Sequence, residues 1–294
     1  MIAKEYADHL EVKDIRDFEL DHIFDCGQCF RWEKNEDGSY TGIAFGKIVT
    51  MKYDKETETL KLFGSHKSDF DSVWYDYLDL GRDYGDIKKI LADKDDVMRQ
   101  AVEYGQGIRI LNQEKWETLI SFIISQNNNI PRIKKCINSL AETLGTKAGE
   151  YKGRAYYKLP TPEVLAEASQ ADLAPCRLGY RAKYLVATAG RIVEEGLESL
   201  EVLGGEEICG REALDALLCY CGVGPKVANC IALFSMKKFD SFPIDVWVRK
   251  VMNQCYGIDE NDMNGMKEYA AEKFGEYGGI AQQYLFYYIT HKKK

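Results

Sequence analysis

The 294 residues predict an α+β fold: a small antiparallel sheet in the N-terminal part, followed by a larger all-helical part. Three observations lead there. Residues 40–63, YTGIAFGKIVTMKYDKETETLKLF, alternate in character and are rich in β-branched and aromatic types, the pattern of antiparallel strands with a turn near 54–56. From about Lys88 the periodicity becomes helical and stays so. Within that stretch, residues 217–245, LLCYCGVGPKVANCIALFSMKKFDSFPID, read as a helix, a Gly-Val-Gly hairpin, a second helix opening on Lys226, and a Pro-Ile-Asp turn.

The helical elements follow in order. Residues 116–125 form an apolar helix, and 132–144 an amphipathic one with Pro131 at its first position. Thr161-Pro162-Glu163 has the signature of a helix start, and 180–195 is a helix ending on Gly196. Residues 212–221 lead into the hairpin, 245–256 follow its loop, and 279–291 close the chain. The expected division is 1–105 and 106–294, with no internal repeat or low-complexity linker. The acid-rich segment 69–96, nine acids against four bases, reads as a solvated face.

At 45% hydrophobic the chain has ample core, yet it contains no apolar run of about 18 residues that would span a membrane. MIAKEYADHLEVKDIRDFEL is too charged for a signal peptide, and nine cysteines without framework spacing suit a reducing compartment. A cytoplasmic or nucleoid-associated monomer is expected. The net charge of −8 argues against coating DNA by bulk attraction. Bases nonetheless gather at Arg132, Lys134 and Lys135, at Arg177, Arg181 and Lys183, at Lys237 and Lys238, and in the HKKK tail.

The hairpin carries the chemistry. Gly222 and Gly224 let backbone N–H groups point outward, and such a nest at a helix start binds phosphate. Lys226 opens the second helix, where the dipole disfavours positive charge and favours a nucleophilic amine. Asp245 can cap the next helix while facing the lysine. Together they point to attack on something attached to a nucleic-acid backbone. Cys26 and Cys29 stand as C-x-x-C and Cys219 and Cys221 as C-x-C, but no second pair at ligand spacing follows, so no side-chain metal site is expected.

This arrangement resembles the helix-hairpin-helix DNA glycosylases with a Gly/Pro-rich loop and a terminal Asp, in their bifunctional, lysine-bearing branch. Within that superfamily, DCGQCFRW at 25–32 is similar to the GQ-x-FRW stretch of the 8-oxoguanine DNA glycosylases. The resemblance runs in order from Asp25 to Phe286. It implies a TATA-box-binding-protein-like sheet domain joined to a helix-hairpin-helix glycosylase domain, with the damaged base in the cleft between them. It implies that Lys226 attacks the sugar, that Asp245 stabilises the cationic sugar, and that the carbonyl of Gly27 accepts N7–H of the oxidised base. Gln282 would read the base edge, with Phe286 and Cys230 on its two faces. In SQNNNIPR, Asn127 would fill the hole left by the flipped base and Arg132 would read the estranged cytosine. In LGYRAKY, Tyr180 would wedge beside that cytosine and Arg181 would hydrogen-bond to it.

Trp247, at a DNA-facing position, stands where the family commonly has a phosphate-contacting histidine, a departure from the family's pattern. The resemblance implies a monovalent cation on the carbonyls of Leu218, Tyr220 and Val223, and no required cofactor. With only Cys255 beyond Asp245, no iron–sulfur cluster is expected. The partner implied is duplex DNA containing 8-oxoguanine opposite cytosine. The competing expectations are a glycosylase for an alkylated purine or oxidised pyrimidine, and a non-catalytic DNA-binding module. Lys226 argues against the alkylation branch and the missing cluster cysteines against the pyrimidine branch; grip alone needs no carboxylate paired with the lysine.

Overall fold

Six antiparallel strands in the order β1-β2-β6-β5-β4-β3 form the N-terminal sheet of the computed structural model, which describes residues 1–292. Lys293 and Lys294 of the basic tail lie outside the described residues. The strands are β1 (Ile2–Glu5), β2 (His9–Lys13), β3 (Trp32–Lys34), β4 (Tyr40–Ala44), β5 (Lys47–Asp54) and β6 (Thr59–Phe63). The 40–63 segment therefore holds three strands and two turns. The additional turn is Phe45-Gly46, both at positive φ (52° and 70°), where an apolar Phe hides the punctuation. The inward face buries Leu10, Val12, Val49, Met51, Leu60 and Leu62 completely. Each such side chain contributes about 2 kcal/mol of burial. They pack under Trp32, Trp74 and α1 (Leu20–Phe24), whose Phe24 stacks on Trp32 at 4.1 Å.

After the sheet come α2 (Tyr84–Ala92), α3 (Asp96–Tyr104), α4 (Lys115–Ser125) and α5 (Ile130–Leu144). The expectation of unbroken helix from Lys88 is corrected here. Strands β7 (Lys147–Tyr151) and β8 (Arg154–Tyr157) form a hairpin closed by Lys152-Gly153, at φ 50° and 76°. Two consecutive left-handed residues are what a two-residue hairpin loop requires. Then follow α6 (Arg181–Glu195), α7 (Gly210–Leu217), α8 (Pro225–Ser235), α9 (Val246–Tyr256), α10 (Met263–Phe274) and α11 (Gly278–His291), with short helical turns between some of them. Helix starts obey local chemistry: Asn129, Thr161 and Asp245 accept backbone N–H groups as caps, and Gly196 ends α6 at φ 82°.

The 69–96 segment is only partly a solvated face. Asp79 is buried, accepting from Arg82 Nε at 2.7 Å and Tyr84 Oη at 2.9 Å, and burial pushes its carboxyl above the usual range. Partners within five residues make that burial tolerable. The loop after α1 crosses between the two cores: Cys26 and Phe30 pack with the helices, whereas Cys29 packs with the sheet. The Gln28 side chain, fully buried, donates to the carbonyls of Ile23 and Arg109 (2.8 and 2.9 Å) and accepts from the Leu111 N–H at 2.9 Å. That crossing holds Gly27 at the junction of sheet and helices. No helix among the described residues is long and apolar enough to cross a membrane.

Candidate active site

The hairpin between α7 and α8 is bent by Gly222, at φ 80°. A Cβ there would lie 2.7 Å from the Tyr184 ring, so both conformation and space demand glycine. Gly224 is the N-cap of α8, Pro225 its first residue and Lys226 its second. The ammonium of Lys226 lies 5.3 Å from the centre of the Phe122 ring, on α4. Asp245 caps α9 through one oxygen, Oδ1, which accepts from the N–H groups of Trp247 and Val248 at 2.9 and 2.8 Å. Lys226 and Asp245 line the same cleft without forming an ion pair.

That cleft encloses about 320 Å³ of empty space, including its open mouth. It gathers residues from the two ends of the chain. Gly27, at φ 79°, contributes from the crossing loop, and a Cβ built on it would meet Phe286 at 3.4 Å. Gln282 and Phe286 project from one face of α11; Gln282 is buried and its Oε1 has no partner among the described residues. A buried unpartnered carbonyl oxygen is costly, by roughly 1–3 kcal/mol, and suits a site that binds a donor. Cys230 lies one turn after Lys226; burial pushes its thiol up, against the opposing pull of that lysine. Thus six expected residues (Lys226, Asp245, Gly27, Gln282, Phe286 and Cys230) share one cleft. Phe122, Phe234, Pro243, Cys26 and Gln283 line it as well, and sequence reasoning missed them. Phe122 sits in an apolar helix indistinguishable from core, and only the repeated Gln-Gln of α11 hinted at Gln283.

Asn127, Arg132 and Tyr180 lie apart from the cleft on an exposed ledge. Asn127, between α4 and α5, is exposed with φ 46°, a left-handed position that Asn tolerates. Tyr180, at the start of α6, is 46% exposed and meets Tyr184 edge-on at 5.7 Å. Arg132 is exposed near the start of α5. Arg181 behaves differently from its neighbours. It is buried, and its guanidinium donates to the carbonyls of Leu178 (3.3 Å), Asn127 (2.9 Å) and Gln126 (2.9 Å from Nε). Its observed work is to brace the Asn127 loop. Gln126, also unforeseen, ties that loop to the hairpin through Nε2 to the Gly222 carbonyl at 2.7 Å.

Trp247 is exposed at the start of α9, with the Lys250 ammonium 4.5 Å from its ring centre. In the hairpin, the carbonyls of Cys219, Cys221 and Gly222 accept from Arg191, Thr188 and Gln126, and Tyr220 accepts from the Val223 N–H. Among the described residues the carbonyls of Leu218 and Val223 accept no hydrogen bond, and no three His, Cys, Asp or Glu side chains converge as a metal site.

Comparison with known proteins places the chain in a family. Residues 12–119 match the family model "8-oxoguanine DNA glycosylase, N-terminal domain", and 120–276 match the model of the HhH-GPD superfamily of base excision DNA repair proteins. The structure is similar to that of an 8-oxoguanine glycosylase/lyase from Clostridium acetobutylicum in complex with duplex DNA containing cytosine opposite 8-oxoguanine. The two share a TM-score of 0.93 and 44% identity, over 99% of this chain and 98% of that one. An N-glycosylase/DNA lyase of Saccharomyces cerevisiae is 32% identical over 91% of this chain and 82% of its own length. The N-glycosylase/DNA lyase OGG1 of Arabidopsis thaliana is 31% identical over 90% of this chain and 75% of its own. The chain belongs to the 8-oxoguanine DNA glycosylase family of the HhH-GPD base excision repair superfamily.

Proposed function

We propose that this protein is a bifunctional DNA glycosylase that releases 8-oxoguanine from duplex DNA and then cleaves the strand as an AP lyase. The observation that carries the reading is the single cleft in which an amine, a carboxylate and a base-sized set of polar and aromatic groups meet. A non-catalytic grip on DNA needs no such enclosure. The amine of Lys226 bonds to C1′ as the glycosidic bond breaks, and the purine leaves with the electron pair and takes up a proton. Opening of the sugar ring yields a Schiff base. Loss of a C2′ proton then expels the 3′ phosphate by β-elimination. Asp245, whose Oδ1 is held by two N–H groups, supplies negative charge against the cationic sugar.

Base choice follows from hydrogen-bond polarity. The Gly27 carbonyl accepts N7–H of the oxidised purine, whereas guanine presents a lone pair there. Two facing acceptors in a closed pocket cost about 1–3 kcal/mol. Gln282 supplies edge contacts, with Phe286 and Cys230 enclosing the ring. Outside the cleft, Asn127 and Tyr180 offset the cost of extruding a nucleotide, which is a few kcal/mol. Arg132 reads the cytosine left behind, with Arg181 alongside it bracing the Asn127 loop. The N–H groups of the Gly222–Gly224 turn hold phosphate, with Trp247 on the neighbouring helix start. Oxygen donors free of protein hydrogens at Leu218 and Val223, with Tyr220 between them, fit a monovalent cation that would stiffen the turn. No cofactor enters the chemistry proposed.

The test is borohydride trapping on a duplex with 8-oxoguanine opposite cytosine, beside an undamaged control. A covalent adduct specific to the damaged duplex and lost in Lys226→Gln is expected. Trapping only on oxidised pyrimidines would sink the base assignment, and full nicking by Lys226→Gln would sink the lysine mechanism.

A further inference from the structure

In the proposed function, discrimination between oxidised and normal guanine depends on the Gly27 carbonyl, and the role inferred for its neighbours rests on that reading. Glycine is a poor place to fix a carbonyl. It lacks Cβ, and at φ 79° the peptides on either side of it rotate at little steric cost. A carbonyl that swings by a few tens of degrees loses the near-linear geometry a hydrogen bond needs. Something outside the glycine has to hold the peptides before and after the Gly27–Gln28 peptide that carries this carbonyl.

Two buried or half-buried amides do this. Gln283, 2% exposed, reaches from α11 and donates from Nε2 to the carbonyl of Cys26 at 2.6 Å. Gln113, just before α4, donates from Nε2 to the carbonyl of Gln28 at 2.7 Å. The carbonyl between them, that of Gly27, accepts no hydrogen bond among the described residues. Both donors are themselves anchored to the cleft. Gln283 is the residue after Gln282 on α11, and the Gln113 N–H donates at 2.9 Å to the carbonyl of Phe234, which lines the cleft from α8.

We infer that Gln283 and Gln113 clamp the peptides before and after the Gly27–Gln28 peptide, Cys26–Gly27 and Gln28–Cys29, aiming the Gly27 carbonyl between them and so setting the selectivity for the oxidised purine. They are positioning residues: neither needs to touch the reacting atoms. Swinging of the Cys26–Gly27 peptide is opposed by Gln283, because the Cys26 carbonyl would leave its buried donor. Gln113 holds the Gln28–Cys29 peptide on the far side in the same way. The clamp also couples the base-edge reader and the base-polarity reader, since Gln282 and Gln283 ride on one helix.

Methionine keeps the length and volume of glutamine without an amide, so Gln283→Met and Gln113→Met remove the donors while preserving packing. Two single-turnover rates are measured for each: release of 8-oxoguanine opposite cytosine, and cleavage of a duplex carrying a preformed abasic site. The second needs no base recognition and reports folded protein with a working lysine. The expected result is a fall of about tenfold in the ratio of release to cleavage for each variant. The preference for binding the damaged over the undamaged duplex falls with it. A proportional loss of both rates, or an unchanged ratio in both variants, overturns the clamp. If Gln283→Met does not fold, the half-buried Gln113→Met decides alone. Wild-type protein that fails to release 8-oxoguanine would instead overturn the function on which the clamp rests.

Discussion

The cleft and the ledge are both candidate DNA-contacting surfaces, but they are built in opposite ways. The cleft draws Gly27, Lys226, Asp245 and Gln282 from segments more than 250 residues apart at the extremes, and packing holds each one. The ledge draws Asn127, Arg132 and Tyr180 from two surface turns, held by a few bonds from Gln126 and Arg181. Groups that choose a base must be placed to a fraction of an ångström, and close-packed surroundings do that. Groups that follow a deformable duplex gain from exposure, provided their anchors stay fixed.

The contrast is broken most severely at the cleft. Phe286→Ala, which removes a half-buried aromatic face, should slow release of 8-oxoguanine by one to two orders of magnitude, since base–aromatic stacking is worth about 1–3 kcal/mol. Cleavage of preformed abasic duplex should change far less, and equal losses in both rates would refute the division of labour. A smaller effect is expected at the ledge. Asn127→Ala and Tyr180→Ala should each raise the apparent Kd about tenfold, and for lesion and abasic duplexes alike, because both substrates leave a hole in the stack. A loss confined to the lesion duplex would assign these residues to the base instead.

The smallest effect concerns acidity behind the cleft wall. The Nδ1 of His22 on α1 accepts the Gly107 N–H at 3.1 Å, and its ring packs on Tyr287 of α11. Burial pulls its pKa down to about 4 from the usual 6.5. Between those values the unfolded chain binds the proton and the folded one does not. The stability that His22 contributes is therefore complete above pH 6.5 and is lost as the pH falls towards 4. A drop in Tm of a few °C between about pH 7.5 and 5.5 is expected, and His22→Gln should flatten it. An unflattened profile would place the acid sensitivity elsewhere.

Legibility in the sequence follows the reach of the interactions. The caps at Thr161 and Asp245 and the stop at Gly196 depend on neighbours within four residues, so spacing alone revealed them, whereas the helix expected to open on Pro131 starts one residue earlier, capped by Asn129. The Lys152-Gly153 hairpin has a local signal too, but a short pair of strands is masked by the helical stretch around it. Strands β1 and β3 are equally hidden, too polar or too short to show an alternating face, and β2 (HLEVK) alternates over only five residues. Asp79 looks solvated in the sequence because nothing in its own segment shows that Arg82 and Tyr84 turn inward with it.

The chain's chemistry is therefore written locally: a glycine hairpin that only glycine can turn, a lysine on the helix it starts, and an aspartate that caps the next. Tertiary structure alone decided which groups surround that lysine. Gln283 meets the Cys26 carbonyl 257 positions away, Arg181 turns inward while Tyr180 faces out, and Phe122 becomes a wall of the cleft. Such contacts arise from packing between elements distant in the chain, where side-chain volume and the satisfaction of buried polar groups decide the outcome and periodicity does not.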